Sequence, residues 1–271
     1  MEFLYPGFKK KACTFSFDDG VLQDIRLIEI FDKYGLKGTF NLNSGFLGEK
    51  KTLFRDNKVV PFDKVKAEDV KVIYKNHEVA MHTVTHPHLG RIPVKEMYWQ
   101  ITEDSRRLSE LTGYDVNGMA YPFGTYDDNV VNALKNLGVL YSRTIEDTYE
   151  FNLSENYLCW HPTCLAIDDR LEDCGKRFAE TDTERAILYI WGHAFEFDQK
   201  DKWQDMEEFC KSVSGKEDVW YCTNSEIAYY NQQVLNCIIT DGEIINPTET
   251  EIFVSNGSEN IVVAPKENIK F

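Results

Sequence analysis

Two adjacent carboxylates, Asp18 and Asp19, close the run Thr14-Phe15-Ser16-Phe17, and Gly20 follows them. Neighbouring carboxylates repel unless a positive charge sits beside them, and a metal ion is the usual remedy. Candidate co-ligands stand downstream in His82-Thr83-Val84-Thr85-His86, directly after another apolar, strand-like run. Histidines at i and i+4 on a turn that follows a strand can face one side. Two histidines and one carboxylate form a common zinc set with a position left for water. The same set suits iron, cobalt, nickel or manganese, so the expected cofactor is one divalent ion, zinc first among them. His82 and His86 alone would fit satisfied buried imidazoles; the Asp-Asp strand end in the same chain turns the reading toward a metal. Hydrolysis of an amide or ester needs a nucleophilic water, charge stabilisation on the oxyanion and a proton for the leaving group. An Asp-Asp pair provides one ligand and one base. His193, at the end of a later apolar run, is placed to protonate a leaving group.

These residues must be brought together by the elements that carry them. Strand-like and helix-like stretches alternate: strands at Ala12–Phe17, Gly38–Leu42, Glu78–His82, Asn117–Tyr121, Val139–Thr144, Cys159–Leu165, Ala186–Trp191 and Val219–Thr223. Helices are expected at Val21–Tyr34, Ala67–Asn76, Pro93–Leu111, Asp127–Asn136, Lys202–Val213 and Asn224–Gln232. Residues 43–63 read as a loop with a small hairpin at Leu53–Pro61. The alternation predicts an α/β fold, a distorted (β/α) barrel of about seven strands. Asp18/Asp19, His82/His86, Pro122-Phe123-Gly124 and His193 all follow strand ends, which in such a barrel share one face. From about Val234 the composition changes to short β-like runs (Val234–Thr240, Thr250–Val254, Asn260–Val263) with turns at Asp241-Gly242, Asn246-Pro247 and Asn256-Gly257. The expected division is a barrel domain over 8–232 and a small β appendage over 233–271 that packs on it.

Ser16-Phe17-Asp18-Asp19-Gly20 with His82-Thr83-x-x-His86 resembles the first two motifs of the polysaccharide deacetylase family (NodB homology, carbohydrate esterase family 4). Ala120-Tyr121-Pro122-Phe123-Gly124 resembles the third motif, and Leu188-Tyr189-Ile190-Trp191-Gly192-His193 the last, over roughly residues 8–230. The resemblance implies Asp18 as general base, Asp19, His82 and His86 as metal ligands and His193 as general acid. It also implies an oxyanion or substrate wall from Tyr121, Pro122, Phe123 and Trp191, with the backbone N–H near Phe123 holding the oxyanion. Two departures stand out. The third motif usually begins with Arg, which contacts the catalytic Asp; here the position is Ala120, and Arg143 on the next strand is the candidate replacement. The Asp-rich fourth motif has no clear counterpart; Asp147 is a candidate for orienting His193, and Trp160 for an aromatic wall.

The net charge of −15 over 271 residues argues against nucleic acid and anionic membranes as partners. It is compatible with a neutral or cationic small substrate. The seven cysteines show no C-x-x-C pairing and read as free thiols of a reducing compartment. With no apolar leader before Ala12 and no run of membrane-span length, a cytoplasmic protein is expected, provided Met1 is the native start. The expected activity is metal-dependent removal of an N- or O-acetyl group from a carbohydrate. Hydrolysis of another C–N bond, such as a cyclic amide or ureide, and a non-catalytic carbohydrate-binding role are the alternatives. A homo-oligomer is left open.

Overall fold

The computed structural model describes residues 1–240 and 242–270. Its centre is a parallel sheet of β1 (Lys11–Asp18), β2 (Gly38–Leu42), β3 (Glu78–Met81), β4 (Gly118–Ala120), β5 (Tyr141–Arg143), β6 (Cys164–Leu165) and β7 (Ala186–Gly192). The spatial order is β5-β4-β3-β2-β1-β7-β6, and β8 (Val219–Tyr221) pairs with the first residues of β1. The sheet curls back on itself: Arg143 of β5 bridges Trp160, and the same stretch runs on into β6 beside β7. This is the distorted barrel expected, with β1 at its middle. All eight residues of β1 and all seven of β7 are buried, as strands covered on both faces require.

Helices cover the outside of the sheet. α1 (Asp24–Tyr34) buries Leu27, Ile28, Ile30 and Phe31, and Gly35 ends it in the left-handed conformation at φ 68°. Phe31 packs on Phe15 at 4.6 Å between ring centroids and reaches Phe17 and Phe40, fixing α1 to β1 and β2. A short α2 (Val70–Ile73) follows a 3₁₀ turn, and α3 (Val94–Thr112) is the longest helix. α4 (Asp128–Asn136) is capped by the Asp127 side chain, which accepts from the Val130 N–H at 2.9 Å. α5 (Leu171–Glu180) and α6 (Phe195–Lys200) lie in stretches to which the sequence reading gave no element. α7 (Trp203–Val213) and α8 (Asn224–Asn236) complete the set; α8 runs four residues beyond the expected Gln232 and opens with a Thr223/Glu226 capping box.

The tail forms two small antiparallel sheets, Ile238–Thr240/Glu243–Ile245/Asn268–Lys270 and Glu2–Leu4/Ile252–Ser255/Asn260–Val263. The chain's first strand thus belongs to the tail's sheet, which the sequence reading missed. Tyr230 of α8 ties the two together: its hydroxyl donates to the Leu4 carbonyl at 2.6 Å and accepts from the Phe253 N–H at 3.1 Å. Asp241 of the expected Asp241-Gly242 turn, and Phe271, lie outside the described residues. All seven cysteines are free thiols. No helix among the described residues is long and apolar enough to cross a membrane.

Candidate active site

Asp18 ends β1 and is 2% exposed. Asn41, its register partner on β2, donates to Asp18 Oδ1 at 2.8 Å. Arg143 is fully buried beneath the site. Its guanidinium donates to Asp18 Oδ2, to Ser16 Oγ at 3.2 Å and to the Thr144 carbonyl at 2.9 Å, and lies 4.6 Å from the centre of the Trp191 ring. Arg143 stands in register with Ala120 on the adjacent parallel strand. A guanidinium thus reaches Asp18 from one strand beyond the position where the resemblance expects it.

Asp19 follows with φ +82°, an uncommon conformation for a side-chain-bearing residue. Lys64 donates to its carbonyl at 2.7 Å and lies 3.4 Å from its Oδ1. Thr83, His86 and Phe123 also have positive φ, so three strand-end loops carry strained backbone toward the same place. The His82–His86 turn is held by side chains from two other elements. Asn43 donates to the carbonyls of His82 and Thr83, at 2.5 and 3.0 Å. On α3, Asp104 accepts the N–H groups of Ser44 (2.9 Å) and His82 (3.1 Å), while one turn away Gln100 brackets Thr85. Gly45 is needed here: a Cβ would sit 2.5 Å from the Val84 carbonyl oxygen.

The ligand atoms of Asp19, His82 and His86 all lie within 4.8 Å of one another. The Ala120 carbonyl, 2.9 Å from His82 Nδ1, can only accept, so that nitrogen carries the proton and Nε2 is left with its lone pair. Burial lowers the pKa of both imidazoles, His86 to about 4, which keeps them neutral as ligation requires. Burial works against the Asp19 carboxylate, but Lys64 and then the His193 imidazolium outweigh it and hold it below the usual range. The donor set thus fits a divalent cation.

Two ionisable groups stand beside the trio. Burial would raise the Asp18 carboxyl, yet Arg143 above all, with protonated His193, brings it down to about 2. His193, after β7, has Nε2 4.0 Å from Asp18 Oδ2 and Nδ1 3.2 Å from Glu196 Oε2. Burial disfavours its charge, but Glu196 with Asp19 and Asp18 lifts it to about 9. Asp147 does not orient His193: it accepts from Trp191 Nε1 at 2.6 Å. The partner of His193 is Glu196, three residues on at the start of α6, a spacing the sequence displayed. Trp160 is buried against Tyr157 and Tyr189 and forms no wall of the site.

One cavity of about 490 Å³ gathers Asp18, Asp19, His82, His86, His193 and Trp191. Tyr121 and Phe123 line it as well, although the Tyr121 hydroxyl is turned away to the Leu158 carbonyl at 2.6 Å. Pro122 is buried and stands outside the lining. Among the described residues the Phe123 N–H meets no acceptor, while that of Tyr121 is used by the Arg143 carbonyl at 3.0 Å. The Phe123 ring stacks on His88 and meets His86 edge-on at 4.4 Å. A larger groove of about 700 Å³ along α3 and the turn after it holds none of the clustered groups.

The family model described as polysaccharide deacetylase matches residues 6–142, just over half of the chain. That span contains Asp18, Asp19, His82 and His86 and stops short of Arg143 and His193. Among solved structures, the fold resembles a candidate polysaccharide deacetylase from Mycobacterium smegmatis, at 19% identity and TM-score 0.59, over 86% of this chain and 94% of that one. PuuE allantoinase is similar at 14% identity and TM-score 0.60, over 83% and 91%. BA3943 from Bacillus anthracis, a carbohydrate esterase family 4 pseudoenzyme, aligns at 20% identity and TM-score 0.50, over 84% and 68%. The chain spans about half (55%) of a Streptococcus pyogenes deacetylase, PplD. No curated protein matches the sequence. At these identities the structures speak for the fold alone.

Proposed function

This chain belongs to the polysaccharide deacetylase family, and on that premise we propose that it is a metal-dependent hydrolase that removes an acetyl group from a carbohydrate. The observation that carries the reading is the division of the two adjacent carboxylates. Asp19 joins two neutral imidazoles, while Asp18 stays outside that trio as a buried, Arg-paired carboxylate. Asp19, His82 and His86 would hold a divalent ion, which when bound supplies Lewis acidity toward an acyl carbonyl and makes a water acidic enough to attack at neutral pH. Asp18, kept ionised by Arg143, accepts the proton of the attacking water. The unengaged Phe123 N–H donates to the developing oxyanion. His193, held protonated by Glu196, gives its proton to the departing amine or alkoxide.

Ala120, where the family's third motif begins with Arg, leaves open a second reading, hydrolysis of another non-peptide C–N bond such as that of a cyclic ureide. The likeness to an allantoinase supports the scaffold for it and no more. A binding protein on a decayed scaffold would need neither Asp18 nor His193, and this chain retains both, lining one cavity. Stripped protein reloaded with zinc, cobalt or manganese tests the reading on acetylated chito- and xylo-oligosaccharides, a small aryl acetate and a cyclic ureide, with Asp18→Ala as control. Metal-dependent acetate release abolished by Asp18→Ala is the expected result. Turnover of the ureide alone would move the assignment to the second reading, and binding of metal with no turnover would overturn the enzymatic one.

A further inference from the structure

The cleft has a wall built by residues the chemistry above does not use. Thr52–Arg55 and Lys58–Pro61 form an antiparallel hairpin turned by Asp56 and Asn57, both at positive φ as a tight two-residue turn requires. Side chains alternate along a strand, so Lys51, Leu53 and Arg55 share one face, and all three line the 490 Å³ cavity with Asp18, His82 and His193. The other face exposes Phe54 and Val59, a directly opposed pair. The hairpin is fixed in place. Asp56 is held by Lys200 and by Gln199 at 2.6 Å, Lys58 pairs with Asp201 at 2.5 Å, and Gln23 donates to the Pro61 carbonyl at 2.8 Å.

The charges on this wall are unequally matched. Asp56 and Lys58 have partners, and so does Lys64, which is committed to Asp19. Lys51 and Arg55 have no carboxylate within 4 Å among the described residues, in a chain of net charge −15. Aromatic rings seat them instead: Arg55 lies 5.4 Å from the centre of Phe195, Lys51 5.7 Å from Phe62, and these two rings meet edge-on at 5.0 Å. Among the described residues that line the cavity, Glu49 is the one acidic side chain outside the Asp18-Asp19 pair, and Lys51, Arg55 and Lys64 outnumber it on this side. Two cations held over aromatic rings, facing the cavity and left without counter-charge, are a recognition element for an anion.

We propose that the substrate carries a negative charge, a carboxylate or a phosphate, bound by Lys51 and Arg55 while the scissile bond lies at Asp18 and His193. The proposal rests on the hydrolase reading and narrows its substrate to an acidic sugar derivative. The whole-chain charge is compatible with a neutral or cationic substrate; the inner face of one hairpin runs opposite to the surface as a whole. Charge-assisted contacts of this kind carry roughly a tenfold or greater effect each, and ionic strength weakens those that remain partly exposed.

The test compares N-acetylglucosamine, its 6-phosphate and 2-acetamido-2-deoxyglucuronate on wild-type protein and on Lys51→Gln, Arg55→Gln and the double variant. Acetate release and calorimetric binding are both measured, at low and at physiological salt. The expected result is tighter binding and higher kcat/KM for one or both anionic sugars than for the neutral one, by tenfold or more. That preference collapses toward unity in the double variant and shrinks with salt. Which anion is preferred separates phosphate from carboxylate. Equal binding of charged and neutral sugars by wild type, or a preference that survives the double substitution, overturns the proposal. If no sugar and no aryl acetate is turned over, the deacetylase reading fails, and the binding comparison still decides whether the wall selects an anion.

Discussion

Replacing Arg143 by Ala removes the only arginine that touches Asp18 among the described residues, and the consequences follow from burial. Both groups are almost wholly inaccessible, and the guanidinium also serves Ser16 and the Thr144 carbonyl and stacks on Trp191. Breaking a buried pair by deleting one partner leaves a charge without compensation and costs about 3–5 kcal/mol. Against a typical domain stability of about 5–15 kcal/mol that is a large share. For a chain of this size it corresponds to a fall in Tm of roughly 6–20 °C. Loss of a positioned general base costs about 10²–10⁴-fold in rate. Arg143→Lys keeps the charge but not the planar fork or the stacking, and falls between. Because Ala120 is in register with Arg143, the transposed double variant Ala120→Arg/Arg143→Ala places a guanidinium beside Asp18 again and recovers part of both losses. Metal content is unchanged throughout, since Arg143 is not one of the trio. Calorimetry, metal analysis and acetate release on the same preparations read all three quantities. Arg143→Ala at wild-type Tm and rate would refute the pairing argument outright.

Three further outcomes follow from the same structure. Glu196→Ala removes the carboxylate on His193 Nδ1 and lowers kcat by about 10- to 100-fold with KM and metal content unchanged; a KM effect alone would show that Glu196 acts on substrate binding. Asp104→Ala removes the acceptor of the Ser44 N–H and one of the two acceptors of the His82 N–H, which also meets the Leu42 carbonyl at 2.9 Å, so affinity for zinc falls by up to roughly 10- to 100-fold. Asp104→Asn, which keeps an acceptor oxygen, loses less, and equal zinc affinity in wild type and Asp104→Ala contradicts a role for Asp104 in holding the His82 turn. Asp24, buried in α1 with Tyr74 donating to it at 2.7 Å and Lys64 near, is raised by burial to about 8. Its folded value lies above the usual carboxylate value, so its contribution to stability is complete below about pH 4 and is lost as pH rises toward 8. Asp24→Asn therefore gains on wild type by roughly 1–3 kcal/mol between pH 5 and 7.5; urea melts at the two values that show a constant difference would contradict this.

Much of the site was readable because it sits at strand ends. The Asp18-Asp19 pair, the His82/His86 spacing and His193 each follow an apolar run, and parallel strands bring such ends to one face whatever the loop details. Arg143 was readable from its place near the end of the next strand. Its contact with Asp18 needed the register of two short strands, which a single sequence does not display. Glu196 was visible as a carboxylate but not as a partner, since α6 was not recognised and i+3 neighbours meet only if a helix begins there. Asp104 and Gln100 sat one turn apart on an expected helix, yet their task depends on which loop that helix faces. The pairing of Glu2–Leu4 with Ile252–Ser255 joins residues about 250 positions apart, beyond the reach of any local pattern. α5 carries Leu171, Cys174 and Phe178 inward at helical spacing among seven polar or small residues, a sparse stripe easily read as loop.

The separation of Asp19 from Asp18 divides metal ligand from general base in the proposed chemistry. Calorimetric titration of zinc into stripped protein, repeated on Asp19→Ala, His82→Ala, His86→Ala and Asp18→Asn, measures it directly. One ion per chain is predicted for wild type, a severe loss of affinity in each of the first three variants, and retained binding without turnover in Asp18→Asn. No zinc binding by wild type, or a loss in Asp18→Asn as deep as in Asp19→Ala, would contradict the assignment of ligand and base to these two neighbours.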